Sequence, residues 1–242
     1  MAGPRTVLLL DGFDVSMEPL ARRLRALELH TLCVATAPDA VAQLEPGTVD
    51  AVVLPADLPS REAAVLIPEL RARAGPAWLG LLAAGPEPRG EARDALREAG
   101  IGLALWEPFD AAFLRYQLNR ALASRAGRAP RCALRVPCSI PARARAGEAG
   151  REKPGRLYTL SERGLFFETA RAVAPGRSVA LELRIAGQTV AAEGRVTLAN
   201  LAGERHNPKL PVGIGVRFTR ISPPGLHAIR HAVAAVAAGL DV

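Results

Sequence analysis

Lysine, cysteine and aromatic residues are scarce in this sequence of 242 residues. Only Lys153 and Lys209 of the 31 basic residues are lysines, and this bias, with abundant alanine, glycine and proline, favours a GC-rich bacterial genome. The three cysteines, Cys33, Cys132 and Cys138, are odd in number and lack the paired spacing of a zinc site. We therefore expect reduced thiols in a cytoplasmic protein.

The sequence also lacks long apolar runs and familiar catalytic motifs. No run approaches the roughly 18 residues of a spanning helix, and no charged-then-apolar export signal opens the chain, so we expect no membrane insertion. A hydrophobic content of 49% with 23% charged residues is typical of one or two globular domains. Because nucleophile turns, phosphate-binding loops with their lysine and well-placed carboxylate pairs are missing, we expect no enzymatic activity.

The charge of the chain is divided unevenly. Residues 1–123 carry 12 basic and 16 acidic side chains, whereas residues 124–242 carry 19 basic and 8 acidic ones. Such asymmetry indicates two modules, the second with an anionic partner, although a GC-rich genome alone would also produce surface arginines. We expect no DNA binding, because the basic half shows no helix-turn-helix pattern and aromatic residues amount to only 4%.

The first half alternates short apolar runs with helical periods. The run 6–10 is continuously apolar, as expected for a strand buried on both faces, and leucines follow it at helical spacing. Five such strand–helix units predict an open, doubly wound parallel sheet over residues 1–123. The other predicted strands cover 31–35, 51–54, 79–82 and 101–105, and the later helices cover 38–44, 61–73, 91–99 and 111–123.

The order and spacing of these units resemble the CheY-like receiver domain of response regulators. The resemblance implies a flavodoxin-like strand order with a site at the carboxyl ends of the strands. Family members place there an acidic pair that holds Mg²⁺, a phosphate-accepting aspartate, a Thr or Ser, and a lysine. The corresponding positions here hold Asp11 followed by Gly12, then Pro55, Ala83 and Glu107. Because proline has no nucleophilic side chain, we expect no phosphorylation at Pro55 and no bound magnesium.

Asp57, two residues beyond Pro55, is a possible substitute acceptor, but the lysine and the second metal carboxylate are missing. We therefore interpret residues 1–123 as a pseudo-receiver that is retained for packing or for binding a protein partner or a second copy. Receivers commonly pair through their last helix and fifth strand, where Phe113 and Tyr116 lie. These two residues are equally compatible with an ordinary core or flanking position.

The pattern changes after residue 123. Residues 124–130 are small, basic and rich in turn-forming residues, which predicts a flexible linker. Six short predicted strands and a closing helix then indicate a small β-barrel over residues 131–242. The strands cover 134–140, 156–160, 164–168, 178–185, 189–201 and 212–218, the loops 147–155 and 203–209, and the helical seam runs through Leu226, Ile229, Val233, Val236 and Leu240.

Three motifs in this second half, in the right order and spacing, resemble the PilZ domain over residues 128–242. The first is similar to the RxxxR opening of that family, the second to its [D/N]xSxxG motif, and the third to a late strand. The residues that carry the resemblance are Arg131 and Arg135, then Thr159, Ser161 and Gly164, then the strand 212–218. The resemblance implies a six-stranded barrel that binds cyclic di-GMP.

The chemistry of these residues suits a cyclic dinucleotide with two phosphates and two guanines. A guanidinium group can pair with a phosphate, contact guanine O6 and N7, or stack on the purine. We expect Arg131 and Arg135 to hold the ligand, with Arg128 as a third cation and Ser161 supplying a hydroxyl. Gly164 would either allow a close backbone approach or adopt a dihedral barred to other residues. The arginines would otherwise belong to a solvated basic linker.

One departure from the family pattern concerns Thr159, which stands where the family has Asp or Asn. A hydroxyl is a shorter and weaker acceptor for the guanine N–H groups, and losing such a contact costs about 1–3 kcal/mol, or roughly tenfold to hundredfold in affinity. We therefore keep two hypotheses. The first is a signalling protein in which cyclic di-GMP orders the arginine segment. The second is a nucleotide-independent scaffold, for example in motility or polarity.

Overall fold

The computed structural model describes residues 5–12, 16–75, 79–123, 134–147, 150–170, 173–203 and 210–242. The chain divides into two compact units, one of residues 1–129 with 239–242 and the other of residues 130–238. The sequence assigned residues 239–242 to the second module, whereas their contacts group them with the first unit. The predicted linker 124–130 lies outside the described residues.

The first unit is a parallel sheet covered by helices on both faces. Its described elements are β1 (Thr6–Leu10), α1 (Glu18–Arg25), β2 (His30–Val34), α2 (Ala37–Gln43), β3 (Ala51–Pro55), α3 (Ser60–Ala74), β4 (Gly80–Pro86), α4 (Glu91–Glu98), β5 (Leu103–Glu107) and α5 (Ala111–Ala123). The strand order is β2-β1-β3-β4-β5, with parallel pairing throughout. This is the predicted flavodoxin-like order, and it places the carboxyl ends of the strands at one edge of the sheet.

The apolar run of β1 is buried on both sides because successive side chains point to opposite faces. Leu8 and Leu10 belong to the core cluster that α2, α3 and α4 cover. Val7 and Leu9 belong to the opposite cluster, which α1 and α5 cover. The two clusters confirm the doubly wound architecture.

Strands β4 and β5 extend further towards their carboxyl ends than the sequence predicted. The predicted start of the fifth strand at residue 101 is wrong, because Gly100 has a φ of +88° and the chain is still turning there. The strand begins at Leu103 and includes Trp106 and Glu107. The last helix occupies 111–123, as predicted.

The second unit is a closed antiparallel barrel. Its described elements are β6 (Val136–Pro137), β7 (Pro141–Ala146), β8 (Glu152–Ser161), β9 (Gly164–Glu168), β10 (Ser178–Ile185), β11 (Gln188–Asn200), β12 (Gly213–Ile221) and α6 (Pro223–Ala238). The ring runs β8-β7-β10-β11-β12-β9 and closes through β9 and β8, while β6 pairs with β8 outside the ring. This confirms the predicted six-stranded barrel.

The first ring strand is not the one that the sequence indicated. The predicted strand 134–140 contains only the short β6, and the ring strand is β7, in which Ala142 and Ala144 point inward and Arg143 and Arg145 point outward. Residues 147–155 were predicted as a loop, but β8 begins at Glu152 because those residues pair with β7.

Helix α6 begins after Ser222, whose hydroxyl accepts a hydrogen bond from the backbone N–H of Gly225 at 3.2 Å. The helix packs against β8 and β11, with Ile229 and Val233 buried. Leu240 was predicted on the same seam, but the helix ends at Ala238 and Leu240 belongs to the first unit. No helix in the described part of the chain combines the length and hydropathy needed to span a membrane.

The cysteines of the described residues, Cys33 and Cys138, are not joined in a disulfide. Partial burial on β2 raises the pKa of the Cys33 thiol above its ordinary value, and the nearby Glu18 carboxylate acts in the same direction. The thiol of Cys33 is therefore held in its protonated form more strongly than an ordinary cysteine. Cys132 lies outside the described residues.

Candidate functional site

The turn between β8 and β9 carries the hydroxyl and the glycine of the predicted ligand site. Ser161 ends β8 and Gly164 begins β9, with a two-residue turn between them. The Ser161 hydroxyl donates a hydrogen bond to the Gly164 carbonyl at 2.9 Å and is only 2% exposed. The Phe218 N–H of β12 donates to the Arg163 carbonyl at 3.0 Å. The barrel thus holds the turn in place from its neighbouring strand.

The same turn is tied to the closing helix. Glu162 forms an ion pair with Arg230 of α6 at 3.1 Å. Both side chains are substantially exposed, so we expect this pair to contribute at most about 1 kcal/mol to stability. It orients the turn relative to the helix.

Gly164 is required for a close backbone approach. A Cβ atom at this position would lie 2.2 Å from the carbonyl oxygen of Val216 on β12. The φ of Gly164 is not in the left-handed region, so the second sequence-based explanation, a barred dihedral, does not apply. The glycine lets β9 and β12 pair at normal distance.

Arg135 lies beside the threonine of the second motif. It is half-buried just before β6, and its Nη1 donates to the Thr159 hydroxyl at 3.4 Å. The pairing of β6 with β8, which sets Pro137 opposite Thr159, brings the two side chains together. Thr159 is itself 3% exposed. The second arginine of the RxxxR motif and the [D/N]xSxxG motif therefore meet in the folded chain.

The remaining predicted ligand residues divide into two groups. Ser161 lies two residues beyond Thr159 on the same strand, and Gly164 follows the turn, so these three residues lie close together along β8 and β9. Arg128 and Arg131 lie outside the described residues. Their part in the site stays a prediction.

The receiver-like positions also gather at the carboxyl ends of the strands. Asp11 follows β1, and its Oδ1 accepts a hydrogen bond from the Met17 backbone N–H at 2.7 Å. Pro55 ends β3 and is buried, while Asp57 and Glu107 are exposed. The Asp11 carboxylate, at the position where the resemblance to receiver domains implies a metal ligand, is thus engaged with the backbone at the start of α1.

The residue of β4 that pairs with Pro55 is not the alanine that the sequence analysis assigned to the Thr or Ser position. Ala83, assigned there to the Thr or Ser position, pairs with Leu54 inside β4, and the strand register sets Ala84 opposite Pro55. The difference arises because β4 continues to Pro86. Both candidates are alanine, so neither supplies a hydroxyl.

An open groove of about 990 Å³ borders Asp11 and Pro55 between α2 and α3. Its lining is mainly apolar, with Val65 of α3 59% exposed. Among the described residues, no group of three His, Cys, Asp or Glu side chains is placed to hold a metal ion.

Sequence reasoning did not single out the buried polar residue Gln117 of α5. Its side chain is fully buried, and its Nε2 donates to the Ala104 carbonyl of β5 at 2.7 Å and to the Leu240 carbonyl. The available signal was its position beside Leu118 on the apolar stripe of the helix. Phe113, on the same helix, packs partly buried against the core.

Residues 128–235 match the family model of the PilZ domain. No curated protein matches the chain. Among solved structures, the inhibitor of motility MotI/DgrA of Bacillus subtilis is 13% identical, with a TM-score of 0.37 over 46% of this chain and 53% of that one. This chain therefore spans about half the length of that protein.

Two other solved structures match single halves of the chain. The receiver domain of a sensor histidine kinase from Pseudomonas aeruginosa is 24% identical, with a TM-score of 0.44 over 50% of this chain and 99% of that one. The PilZ domain of YcgR from Escherichia coli, solved with cyclic di-GMP, is 14% identical, with a TM-score of 0.36 over 46% of this chain and 94% of that one. The family match identifies a PilZ domain at residues 128–235, and the first unit has the flavodoxin-like strand order that the resemblance to receiver domains predicted.

Proposed function

We propose that this protein is a cytoplasmic, non-enzymatic effector of cyclic di-GMP. Its PilZ domain binds the dinucleotide, and its receiver-like domain binds a protein partner without being phosphorylated. The observation that carries the proposal is the contact between Arg135 and Thr159 beside the Ser161 turn. Receiver and PilZ domains are typically signalling domains rather than enzymes, which agrees with the absence of catalytic motifs from the sequence.

The chemistry of Arg135 supports binding of an anion. In the free protein its guanidinium donates to a neutral hydroxyl over 3.4 Å, which is a long and therefore weak hydrogen bond. A phosphate would accept shorter, charge-assisted hydrogen bonds. If the Arg135 side chain adopts another rotamer, two of these bonds can form in bidentate geometry. Exchanging the threonine for a phosphate therefore replaces a long hydrogen bond to a neutral hydroxyl with charge-assisted ones.

A titration of the full chain with cyclic di-GMP tests this proposal. We expect binding at micromolar concentrations by calorimetry, and we expect Arg135→Ala to weaken it by at least about tenfold, because a charge-assisted contact is lost. Arg184→Ala is the matched control, since Arg184 is exposed on β10, two strands away from β8 in the ring. Absence of binding by the unmodified chain at tens of micromolar ligand would refute the proposal.

The scaffold function is the alternative, and the state of the two hydroxyls favours it. Thr159 and Ser161 are both nearly buried, and each has a hydrogen-bond partner within the protein. In a PilZ domain that no longer binds the dinucleotide, we would expect the same burial and internal hydrogen bonding of these two hydroxyls. The two functions differ in the cell, because Arg135→Ala abolishes the output of an effector and leaves that of a scaffold unchanged.

The receiver-like domain should not accept a phosphoryl group. Incubation of the full chain with acetyl phosphate and Mg²⁺ should leave its intact mass unchanged, because Pro55 offers no nucleophile and Asp57 is exposed without a lysine in the usual position. An active receiver domain treated in the same tube is the control. Addition of one phosphoryl group, mapped to Asp57 by peptide analysis, would contradict this part of the proposal.

A further inference from the structure

Residues 239–242 contact the outer edge of the sheet in the first unit. Strand β5 is the end strand of this sheet, and the edge of such a strand presents unpaired backbone groups. The N–H of Ala104 donates to the Leu240 carbonyl at 3.2 Å. Leu240 and Val242 are 2% and 4% exposed, and Val242 joins the core cluster under α3 and α4. The segment is packed into the unit.

Polar side chains of α4 and α5 hold the backbone of this segment. The Gln117 amide of α5 bridges the carbonyls of Ala104 and Leu240, so it joins β5 to the segment through one buried group. From α4, Arg97 donates to the Val242 carbonyl at 2.8 Å, and Arg93 donates to the Asp241 carbonyl at 2.9 Å. Both helices therefore supply donors to carbonyls of the same short segment.

The segment also has a side-chain pattern that fits this site. Apolar residues at 240 and 242 point into the unit, and the acidic residue between them forms an ion pair with Arg120 of α5 at 2.8 Å. This alternation buries the two apolar side chains and leaves the charged one at the surface. Gly239 precedes it, and the chain passes from one unit to the other between residues 238 and 239.

We propose that residues 239–242 are a detachable strap, and that the site they occupy on β5, α4 and α5 binds the same strap of a second copy of this chain. The occupant follows from the contacts, because a second copy carries the one segment already shown to fit the site. Exchange of an identical element between two copies requires no new interface chemistry and forms a symmetric dimer. The proposal names the partner of the receiver-like domain in the proposed function, and it does not depend on cyclic di-GMP.

A pair of charge reversals in the full chain tests the exchange. Arg120→Glu reverses the charge of the site, and Asp241→Arg reverses the charge of the strap. In each single variant, residues 120 and 241 of the same copy therefore carry like charges and repel each other. When the two variants are mixed, each strap faces a complementary site on the other copy. We expect each variant alone to be monomeric and the mixture to form a heterodimer by sedimentation or light scattering.

Two controls accompany this experiment. The double variant Arg120→Glu with Asp241→Arg should show the same mass distribution as the unmodified chain, because the charge of its strap again complements the charge of its site. Arg73→Glu, a reversal on the exposed end of α3, should have no effect on the mass distribution. Hydrogen exchange at the Ala104 amide reports directly on the strap and should speed up at least about tenfold in each single variant.

The result that overturns the proposal is a mixture that remains monomeric while both variants are folded by circular dichroism. Unchanged exchange at Ala104 in the single variants would overturn the strap itself. Neither result depends on nucleotide binding, so failure of the strap is distinguishable from failure of the dinucleotide titration.

Discussion

Replacing Thr159 with asparagine should raise the affinity for cyclic di-GMP by about tenfold to hundredfold. Thr159 occupies the position at which the PilZ family pattern has Asp or Asn, and its hydroxyl already accepts the hydrogen bond from Arg135. The amide carbonyl of an asparagine would extend further from β8 and would accept hydrogen bonds from the guanine N–H donors. Calorimetric titration of the variant beside the unmodified chain measures the difference.

Two further variants separate this effect from a general change in the barrel. Thr159→Val keeps the shape but removes the hydroxyl, so we expect weaker binding and a less restricted Arg135. Thr197→Asn places the same amide on β11, where the residue is exposed, and should leave affinity unchanged. A folded Thr159→Asn variant that binds no more tightly than the unmodified chain would show that this position does not face the ligand.

Replacing Gly164 with alanine should destabilise the second unit by about 3 kcal/mol or more, a typical upper cost of overpacking. The added methyl group would meet the Val216 carbonyl oxygen at 2.2 Å, and both atoms are fixed to the backbones of paired strands that cannot move independently. The strands must separate locally, which breaks hydrogen bonds that close the barrel. Denaturant unfolding followed by circular dichroism measures the loss.

Gly102→Ala is the matched control for this prediction. A Cβ atom at Gly102 meets no atom within 4 Å, and its φ is not in the left-handed region. The same chemical change should therefore alter stability by less than about 1 kcal/mol. Equal unfolding transitions for the two variants would show that the strands around Gly164 relax without cost.

The parts of the fold that the sequence predicts well are those with a strong and local pattern. The five strand–helix units and the bounds of α5 follow from continuous apolar runs and a clear helical stripe. Strand β7 was missed because its alternation is between alanine and arginine, and alanine gives a weak strand signal. Only the folded barrel shows that Ala142 and Ala144 of this strand point inward, because both are buried there.

In the candidate site too, the sequence predicts the features that local motifs carry and does not predict those that depend on contacts between distant residues. Arg135, Thr159 and Ser161 were found from short motifs, and their proximity follows from the β6–β8 pairing. The role of Gly164 needed the position of Val216 on another strand. Gln117 and Leu240 are 123 residues apart in the chain, so no local pattern predicts that one binds the other.

The contact of Asp11 has a consequence for how relatives of this domain are recognised. Its carboxylate holds the N–H of Met17 at the entry of α1, so the fold itself gives selection a reason to keep an acid there. An aspartate that survives after the first strand is therefore poor proof of surviving phosphotransfer chemistry. In domains that resemble a receiver, the residue at the end of the third strand is the more informative one to inspect.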